Sequence, residues 1–128
     1  MALCICGSKK DAGQCCEPLL RGKEKAKTVR QLVRARYAAY ALGGYGDFLK
    51  ETWHPATRRN IGIADLNGSD YAWQSLEIVR YLQKGDRGQV EFKASFKEGD
   101  APAKTHHEIS LFQREKGNWY YLDGKVLP

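Results

Sequence analysis

The sequence predicts an α+β fold in which a small cysteine-rich knuckle precedes two or three helices packed on one face of a four-stranded antiparallel sheet. Three observations predict it. All four cysteines lie within the first sixteen residues, apolar residues recur at helical spacing from Thr28, and the alternation typical of strands replaces that spacing after Gly68. We therefore expect a knuckle over residues 1–20, a basic linker over residues 21–27 and an α+β domain over residues 28–128.

The knuckle is predicted from the spacing of its cysteines. Cys4 and Cys6 form one pair, Cys15 and Cys16 form the other, and a polar run that begins with Gly7 lies between them. Glycine reaches backbone angles that other residues avoid, so this run can reverse and bring the four sulfurs together. Four thiolates in a tetrahedron, with Zn–S bonds of about 2.3 Å, form a typical structural zinc site. The sequence therefore predicts Zn²⁺ as the cofactor, held by all four cysteines.

Two other uses of the four sulfurs stay open at this stage. Disulfides could form in any of three connectivities, although each would brace only the tip of the chain. Cys15 or Cys16 could instead be a reactive thiolate, because the neighbouring Lys9 and Lys10 favour the charged form. Residues 1–6 are too short for a signal peptide and lack its basic residues. We therefore expect a cytoplasmic protein, in which clustered cysteines bind a metal or react more often than they form disulfides.

The charge of the chain is uneven. The formal net charge is +6, with twelve Lys and Arg against five Asp and Glu in residues 1–60, and nine against ten in residues 61–128. A basic front half would suit an acidic partner or RNA, yet no segment matches a nucleic-acid-binding motif. The mean hydropathy of −0.59 and the lack of a long apolar run argue against a membrane-spanning helix.

The first predicted helix begins at Thr28, which has the form of a capping-box N-cap with Gln31 three residues later. Gly43 and Gly44 end it. Its apolar face is made by residues at helical spacing, Val29, Leu32, Val33, Tyr37 and Tyr40, and its arginines Arg30, Arg34 and Arg36 are expected off or beside that face.

Two more short helices are predicted before the sheet. The first covers residues 47–53, and His54-Pro55 stops it because the residue before a proline avoids the helical region. The second lies within residues 56–67. Four strands then follow with glycine-containing turns between them, over residues 73–82, 88–99, 105–115 and 118–123.

The run Cys4 to Cys16 resembles the SEC-C motif, the zinc-binding module best known from the tail of the SecA translocation motor. All four ligand positions and the Gly-Ser after the second cysteine are present. The resemblance implies zinc, and it implies a small module that often contacts other proteins.

The rest of the chain resembles the YchJ-like family over nearly its full length. The similarity is carried by Arg-Ala-Arg-Tyr-Ala-Ala-Tyr at 34–40, Thr-Trp-His-Pro at 52–55 and Trp-Tyr-Tyr-Leu-Asp-Gly at 119–124. It implies a body similar to nuclear transport factor 2, a cone of helices wrapped by a curved sheet with a pocket between them. Some members carry a second SEC-C motif after the body. Because this chain stops at Pro128, we expect no metal site shared between two knuckles.

The implied pocket is expected to be lined by Tyr37, Tyr40, Trp53 and Trp73. His54 could act there as a general base, or it could simply cap the end of a helix.

Three further residue groups are candidates for chemistry. His106 and Glu108 share one face of their strand and His107 takes the other, yet histidines here could simply be solvent-exposed. Asp123 before Gly124 could be an acid or only a turn residue. Four arginines could form a phosphate-binding patch, or they could pair with carboxylates and reach into solvent: Arg34, Arg36, Arg58 and Arg59.

These observations favour a zinc-containing interaction or small-ligand-binding module, with a protein partner docked through the knuckle and a small ligand in the cone. The alternative is a pocket enzyme of isomerase or hydrolase type that uses His54 or Glu108 with Asp123. No reaction follows from the family resemblance, because a fold by itself does not transfer activity.

Overall fold

The computed structural model describes residues 3–58 and 71–128, which form the predicted α+β architecture. A single 3₁₀ turn, Ala12–Gln14, lies in the knuckle. The helices are α1 (Glu17–Leu20), α2 (Val29–Leu42), α3 (Gly46–Glu51) and α4 (Pro55–Arg58), and the strands are β1 (Ala72–Lys84), β2 (Arg87–Lys97), β3 (Lys104–Glu115) and β4 (Asn118–Val126). None of the helices among the described residues has the length and hydropathy that crossing a bilayer requires.

The sheet is an antiparallel meander in the order β1-β2-β3-β4, and α2 packs against β1 and β2. The close approach of α2 depends on Gly88, because a Cβ there would overlap the side chain of Val29. The four predicted strands are confirmed; β1, β3 and β4 are somewhat longer than predicted, and β2 begins one residue earlier and ends two residues earlier.

Helix α2 begins as predicted. Thr28 Oγ1 accepts a hydrogen bond from the Gln31 backbone N–H at 3.1 Å. The Gln31 side chain reaches back one residue further than expected, since its Oε1 accepts from the Lys27 backbone N–H at 2.8 Å. At the other end Gly43 adopts a φ of 74°, a left-handed value that favours glycine and ends the helix.

Arg36 departs from the sequence-based expectation. It was expected off or beside the apolar face of α2, yet only 7% of it is exposed. Its Nη1 donates to the Leu49 carbonyl oxygen at 2.8 Å and to Thr52 Oγ1 at 2.7 Å. These partners belong to α3 and to the residue that follows it, so the burial depends on how α3 packs.

Strand β1 also differs from simple alternation. Leu76, Ile78 and Leu82 were expected on one face, but Leu82 is 67% exposed. A bulge between Ile78 and Arg80 shifts the register by one residue, so Tyr81 instead of Arg80 lies opposite the buried Val90, and Leu82 pairs with the exposed Gln89 on the other face. Bulges also strengthen strand twist, which helps the sheet curve around α2.

The segment after α3 joins the edge of the sheet. The His54 backbone N–H donates to the Tyr121 carbonyl oxygen at 2.7 Å, and the Tyr121 N–H donates to the Thr52 carbonyl oxygen at 2.7 Å. Helix α3 ends at Glu51, slightly before the predicted stop at His54-Pro55. Helix α4 supplies the third predicted helix as far as Arg58, and the rest of that predicted segment lies outside the described residues.

The knuckle packs onto the body. Leu19 and Leu20 on α1 are buried in the same cluster as the first turns of α2. Arg34 Nη1 donates to the Cys6 carbonyl oxygen at 2.9 Å. At the end of the predicted linker, Trp119 Nε1 donates to the Lys27 carbonyl oxygen at 3.3 Å.

Candidate metal centre and cavity

The four cysteine sulfurs converge at the knuckle. The ligand atoms of Cys4, Cys6, Cys15 and Cys16 all lie within 4.8 Å of one another, and all four thiols are free. The Cys6 and Cys15 sulfurs are 3.6 Å apart, and those of Cys15 and Cys16 are 3.9 Å apart. A tetrahedron with metal–sulfur bonds of about 2.3 Å separates its sulfurs by about 3.8 Å. The cluster therefore fits a tetrahedrally bound metal ion.

The chain reversal that builds the cluster is held by short-range hydrogen bonds. The Cys4 N–H donates to the Lys10 carbonyl oxygen at 2.8 Å, and Gly7 has a φ of 82°. The Gly7 N–H donates to the Cys4 carbonyl oxygen at 3.2 Å. The Ser8 hydroxyl takes a supporting position, 3.1 Å from the sulfur of Cys15.

Electrostatics within the cluster favour one thiolate before any metal binds. A hydrogen bond from Cys16 outweighs burial and lowers the pKa of Cys6 to about 4. The same hydrogen bond, together with burial, raises the pKa of Cys16, and burial raises the pKa of Cys15. Metal binding must therefore displace protons from these thiols, which makes affinity fall in acid.

A second feature is a cavity of about 270 Å³ between α2 and the concave face of the sheet. Tyr37, Tyr40, Trp53 and Trp73 all line it, together with Val33, Arg36, Tyr71, Phe92, Ala94, His106, Glu108, Ser110, Phe112 and Tyr121. Several rings meet edge to face, including Tyr37 with Trp73 at 6.2 Å between centroids and Trp53 with Tyr121 at 5.3 Å.

Glu108 is a half-buried carboxylate on the cavity wall. Its Oε1 lies 2.8 Å from His106 Nε2, and its Oε2 accepts hydrogen bonds from the hydroxyls of Ser110 and Tyr121. Burial would raise the pKa of Glu108, but the bonds from His106, Ser110 and Tyr121 together outweigh it and lower the pKa. Burial and the charge of Glu108 conversely raise the pKa of Tyr121. Gly124 makes room, since a Cβ there would overlap Glu108 and the Tyr121 hydroxyl.

Arg36 places a buried cation in the same cavity. Its guanidinium carbon lies 4.7 Å from the ring centre of Tyr121 and 5.4 Å from that of Trp53, distances at which aromatic faces attract cations. Burial lowers the pKa of Arg36, and interactions with Tyr40, Tyr121 and Glu108 act in the opposite direction. The charges of Arg36 and Glu108 therefore offset each other inside the cavity.

Two hydrogen-bond donors on the cavity wall lack partners among the described residues. The Tyr37 hydroxyl and the Trp53 Nε1 are both buried and make no hydrogen bond. Buried polar atoms in native proteins are nearly always paired. Tyr37 and Trp53 both line the cavity, so the two unpaired donors belong to side chains of its wall.

His54 and Asp123 lie away from the cavity. His54 Nε2 is 2.9 Å from Glu115 Oε1, and its Nδ1 accepts from the Ala56 N–H at the start of α4. The histidine therefore caps the beginning of α4 and not the end of α3. Asp123 is exposed, on the opposite face of the sheet from Glu108, and accepts a hydrogen bond from the Gly124 N–H at 2.8 Å. The structure brings neither residue to Glu108.

The two neighbouring histidines of β3 both have carboxylate partners. His106 and His107, considered as possible solvent-exposed histidines, are half-buried and paired. His107 Nε2 lies 2.8 Å from Glu91 Oε2, and Arg80 donates to the other oxygen of that carboxylate at 2.7 Å. The bond from Arg80, followed by that from His107, lowers the pKa of Glu91.

The predicted arginine patch does not assemble among the described residues. Arg34 and Arg36 bind backbone oxygens at the knuckle and at α3, and Arg58 donates to the Lys50 carbonyl oxygen at 3.2 Å. Arg59 lies outside the described residues.

The sequence reasoning missed Ser110 and Tyr121 as cavity residues. A signal for Ser110 was present, because His106, Glu108 and Ser110 are spaced by two and therefore share one strand face. Tyr121 and Arg36 carried no comparable signal, since their position depends on contacts between α2, α3 and β4.

Comparisons with known proteins agree with this architecture. The model of the family described as "YchJ, middle NTF2-like domain" matches residues 28–124. A UPF0225 protein of Chromobacterium violaceum is 41% identical over 128 residues, which cover 98% of this chain and 93% of that protein. A UPF0225 protein of Geobacter sulfurreducens is 36% identical and covers 95% of this chain and 78% of its own length.

Two solved structures are similar. The solution structure of RPA3114, a SEC-C motif containing protein from Rhodopseudomonas palustris, has a TM-score of 0.90 and 36% identity, covering 99% of this chain and all of the other. A putative Ca/calmodulin-dependent kinase II association domain from Exiguobacterium sibiricum has a TM-score of 0.59 at 12% identity, over 78% of this chain and 89% of its own. The second likeness concerns the fold alone.

Proposed function

This chain belongs to the YchJ-like family, and from that premise we propose that it is a Zn²⁺-containing binding module whose cone cavity holds a small ligand. The observation that carries the proposal is the aromatic cavity, whose wall includes two side chains of opposite charge, Arg36 and Glu108, and two donors without partners among the described residues. Concave, mostly apolar sites with a few placed polar groups are typical of small-molecule binding.

Zinc is proposed over other metals because of its ligands. Four thiolates in a tetrahedral arrangement are the usual structural zinc set, and thiolate ligands select zinc over magnesium, calcium or manganese. When bound, the ion would cross-link the two ends of the knuckle. Cys4, Cys6, Cys15 and Cys16 would hold it.

Binding is favoured over catalysis by the state of Glu108. Its two oxygens already accept three hydrogen bonds, and its lowered pKa makes it a weak base. His54 and Asp123, the other residues of the enzyme alternative, lie elsewhere. Of the three residues in the enzyme alternative, only Glu108 lines the cavity.

Native mass spectrometry of protein purified from cells tests both parts of the proposal. We expect one zinc ion and a small molecule that both leave on denaturation. The variant Ala94→Leu, which adds a side chain into the cavity, should lose the small molecule and keep the zinc. Lys93→Leu, one residue away on an exposed position, should keep both. Recovery of metal-free or ligand-free wild-type protein would contradict the corresponding part.

The knuckle is also proposed to dock a protein partner. Leu3 and Ile5 are 69% and 41% exposed beside the metal ligands, and exposed apolar residues are typical of contact sites. Leu3→Asp should reduce co-purification of a partner, whereas Val126→Asp, at an equally exposed apolar position on β4, should not. Equal partner recovery with both variants would argue against docking at the knuckle.

A further inference from the structure

We infer that the cone cavity selects a flat, uncharged ligand of one or two rings that presents hydrogen-bond acceptors to the Tyr37 hydroxyl and the Trp53 indole N–H. This inference rests on the proposed small-ligand-binding function and names the chemistry of the ligand.

The acceptor requirement comes from the two unpartnered donors. Tyr37 is 6% exposed, and its hydroxyl has no partner among the described residues. The Trp53 Nε1 is equally without a partner, and an indole N–H can only donate. A ligand that satisfies Trp53 must therefore carry an acceptor, such as a carbonyl or ring oxygen.

The flat shape follows from the walls. Two edge-to-face pairs belong to the cavity wall, Tyr37 with Trp73 and Trp53 with Tyr121. Aromatic rings prefer offset or edge-to-face contacts with other rings. A planar ring system can contact several of these side chains at once.

The ligand is expected to carry no net charge because of the charged side chains already in the cavity wall. Arg36 and Glu108 offset each other, and each is bound by neighbouring protein groups. An additional anion would face Glu108 and an additional cation would face Arg36. Either charge would be buried without a free partner, which is costly in a poorly solvated site.

The size follows from the volume. A cavity of about 270 Å³ lies below the range of about 300–1,000 Å³ typical of sites for drug-sized ligands. One ring or two fused rings fit this space.

Three probes of similar size separate the requirements. Coumarin is flat and uncharged and carries a carbonyl acceptor, naphthalene lacks the acceptor, and coumarin-3-carboxylate adds a negative charge. Binding is followed by titration with ¹⁵N-labelled, metal-loaded full-length protein. The indole N–H resonances report on Trp53, and that of Trp119, which is bonded to the Lys27 carbonyl oxygen, serves as an internal reference.

We expect coumarin to bind and to shift the Trp53 indole signal while the Trp119 signal stays in place. Tyr37→Phe keeps the ring and deletes the donor, so it should weaken coumarin about fivefold, the usual effect of one hydrogen bond, and leave naphthalene affinity unchanged. Tyr81→Phe, at a 51% exposed tyrosine, is the matched control and should change neither.

Three results would overturn the inference: naphthalene binding as tightly as coumarin, coumarin-3-carboxylate binding more tightly than coumarin, or no coumarin-dependent shift at Trp53. The proposed function is judged separately by the small molecule found in the protein purified from cells. A charged or non-planar molecule there would overturn the ligand class and leave the binding function standing.

Discussion

Glu108 keeps its charge inside an aromatic cavity because three neighbouring groups donate to it. Its lowered pKa means that the folded protein binds the proton on this group less readily than the unfolded chain does. The stability that Glu108 contributes is therefore fully present above its usual pKa of 4.5, and it is lost as the pH falls through the folded value below it. His106, Ser110 and Tyr121 face the carboxylate directly, and Arg36 acts on it through its charge.

The first prediction follows from the lowered pKa of Glu108. Glu108→Gln should destabilise the protein at pH 7 by about 1–3 kcal/mol, because the amide cannot accept from all three donors. The difference from wild type should shrink as the pH falls below 4.5, because the wild-type carboxyl then gains a proton at its lowered pKa. Thermal melts across pH measure both effects. Glu98→Gln, in an exposed turn, is the control, and a pH-independent difference for Glu108→Gln would contradict the prediction.

The second prediction concerns Tyr37, whose ring is buried although its hydroxyl has no partner in the described part of the chain. Tyr37→Ala should lower the free energy of unfolding by about 3 kcal/mol. This value is at the lower end of the range for removal of a buried aromatic ring, because the ring already adjoins a cavity. Tyr37→Phe should be neutral or stabilising, since it removes an unpaired buried hydroxyl. Chemical denaturation of the two variants separates the contribution of the ring to stability from that of the hydroxyl. A neutral Tyr37→Ala would mean that the ring contributes little to the core.

At the scale of elements, the knuckle and α2 depend on each other. Cys6 is completely buried, its backbone oxygen is bound by Arg34 of α2, and Leu19 and Leu20 extend the same buried cluster. The metal would therefore brace α2 as well as its own loop. The 28–128 segment nevertheless contains the whole sheet and most of the core.

The third prediction is that Cys6→Ser loses the metal and disorders the first twenty residues, while residues 28–128 stay folded with a Tm lower by roughly 5–10 °C, as expected for a loss of one or two kcal/mol. Elemental analysis and amide NMR spectra measure the two effects. Ile5→Ser, at the exposed residue between two ligands, should keep the metal. Loss of all structure in Cys6→Ser would show that the body cannot fold without the knuckle.

At the scale of the whole molecule, α2 joins the two sites. Arg34 contacts the knuckle, whereas Arg36 and Tyr37, on the same two turns, line the cavity. Removing the metal should therefore affect the cavity through a single rigid element. Among the described residues, none of the four cysteines at the candidate metal site also lines the cavity.

The fourth prediction follows from this connection. A strong chelator should lower the Tm and shift the amide signals of residues 33–37, because Arg34 loses its ordered partner. Adding Zn²⁺ back should restore both. Cys6→Ser should not respond to the chelator. Unchanged signals at residues 33–37 in chelated wild-type protein would show that the knuckle and the cavity are independent.

Local patterns in the sequence predicted much of this protein. The cysteine spacing predicted the cluster, Thr28 and Gly43 predicted the bounds of α2, and alternation predicted the four strands, because each depends on residues close together in the chain. The family was likewise recognisable from short signatures, and the matching family model and relatives confirm it.

Only the tertiary structure decided what the interior contains. Arg36 is buried because α3 supplies its partners, Leu82 is exposed because a bulge shifts β1, and Glu108 meets Tyr121 because β3 and β4 pair in one register. The same pairing places Asp123 on the opposite face. His54 is held at the start of α4 by the hydrogen bond from the Ala56 N–H. These outcomes depend on contacts between residues far apart in sequence, and a one-residue change of register reverses the face that a strand side chain occupies.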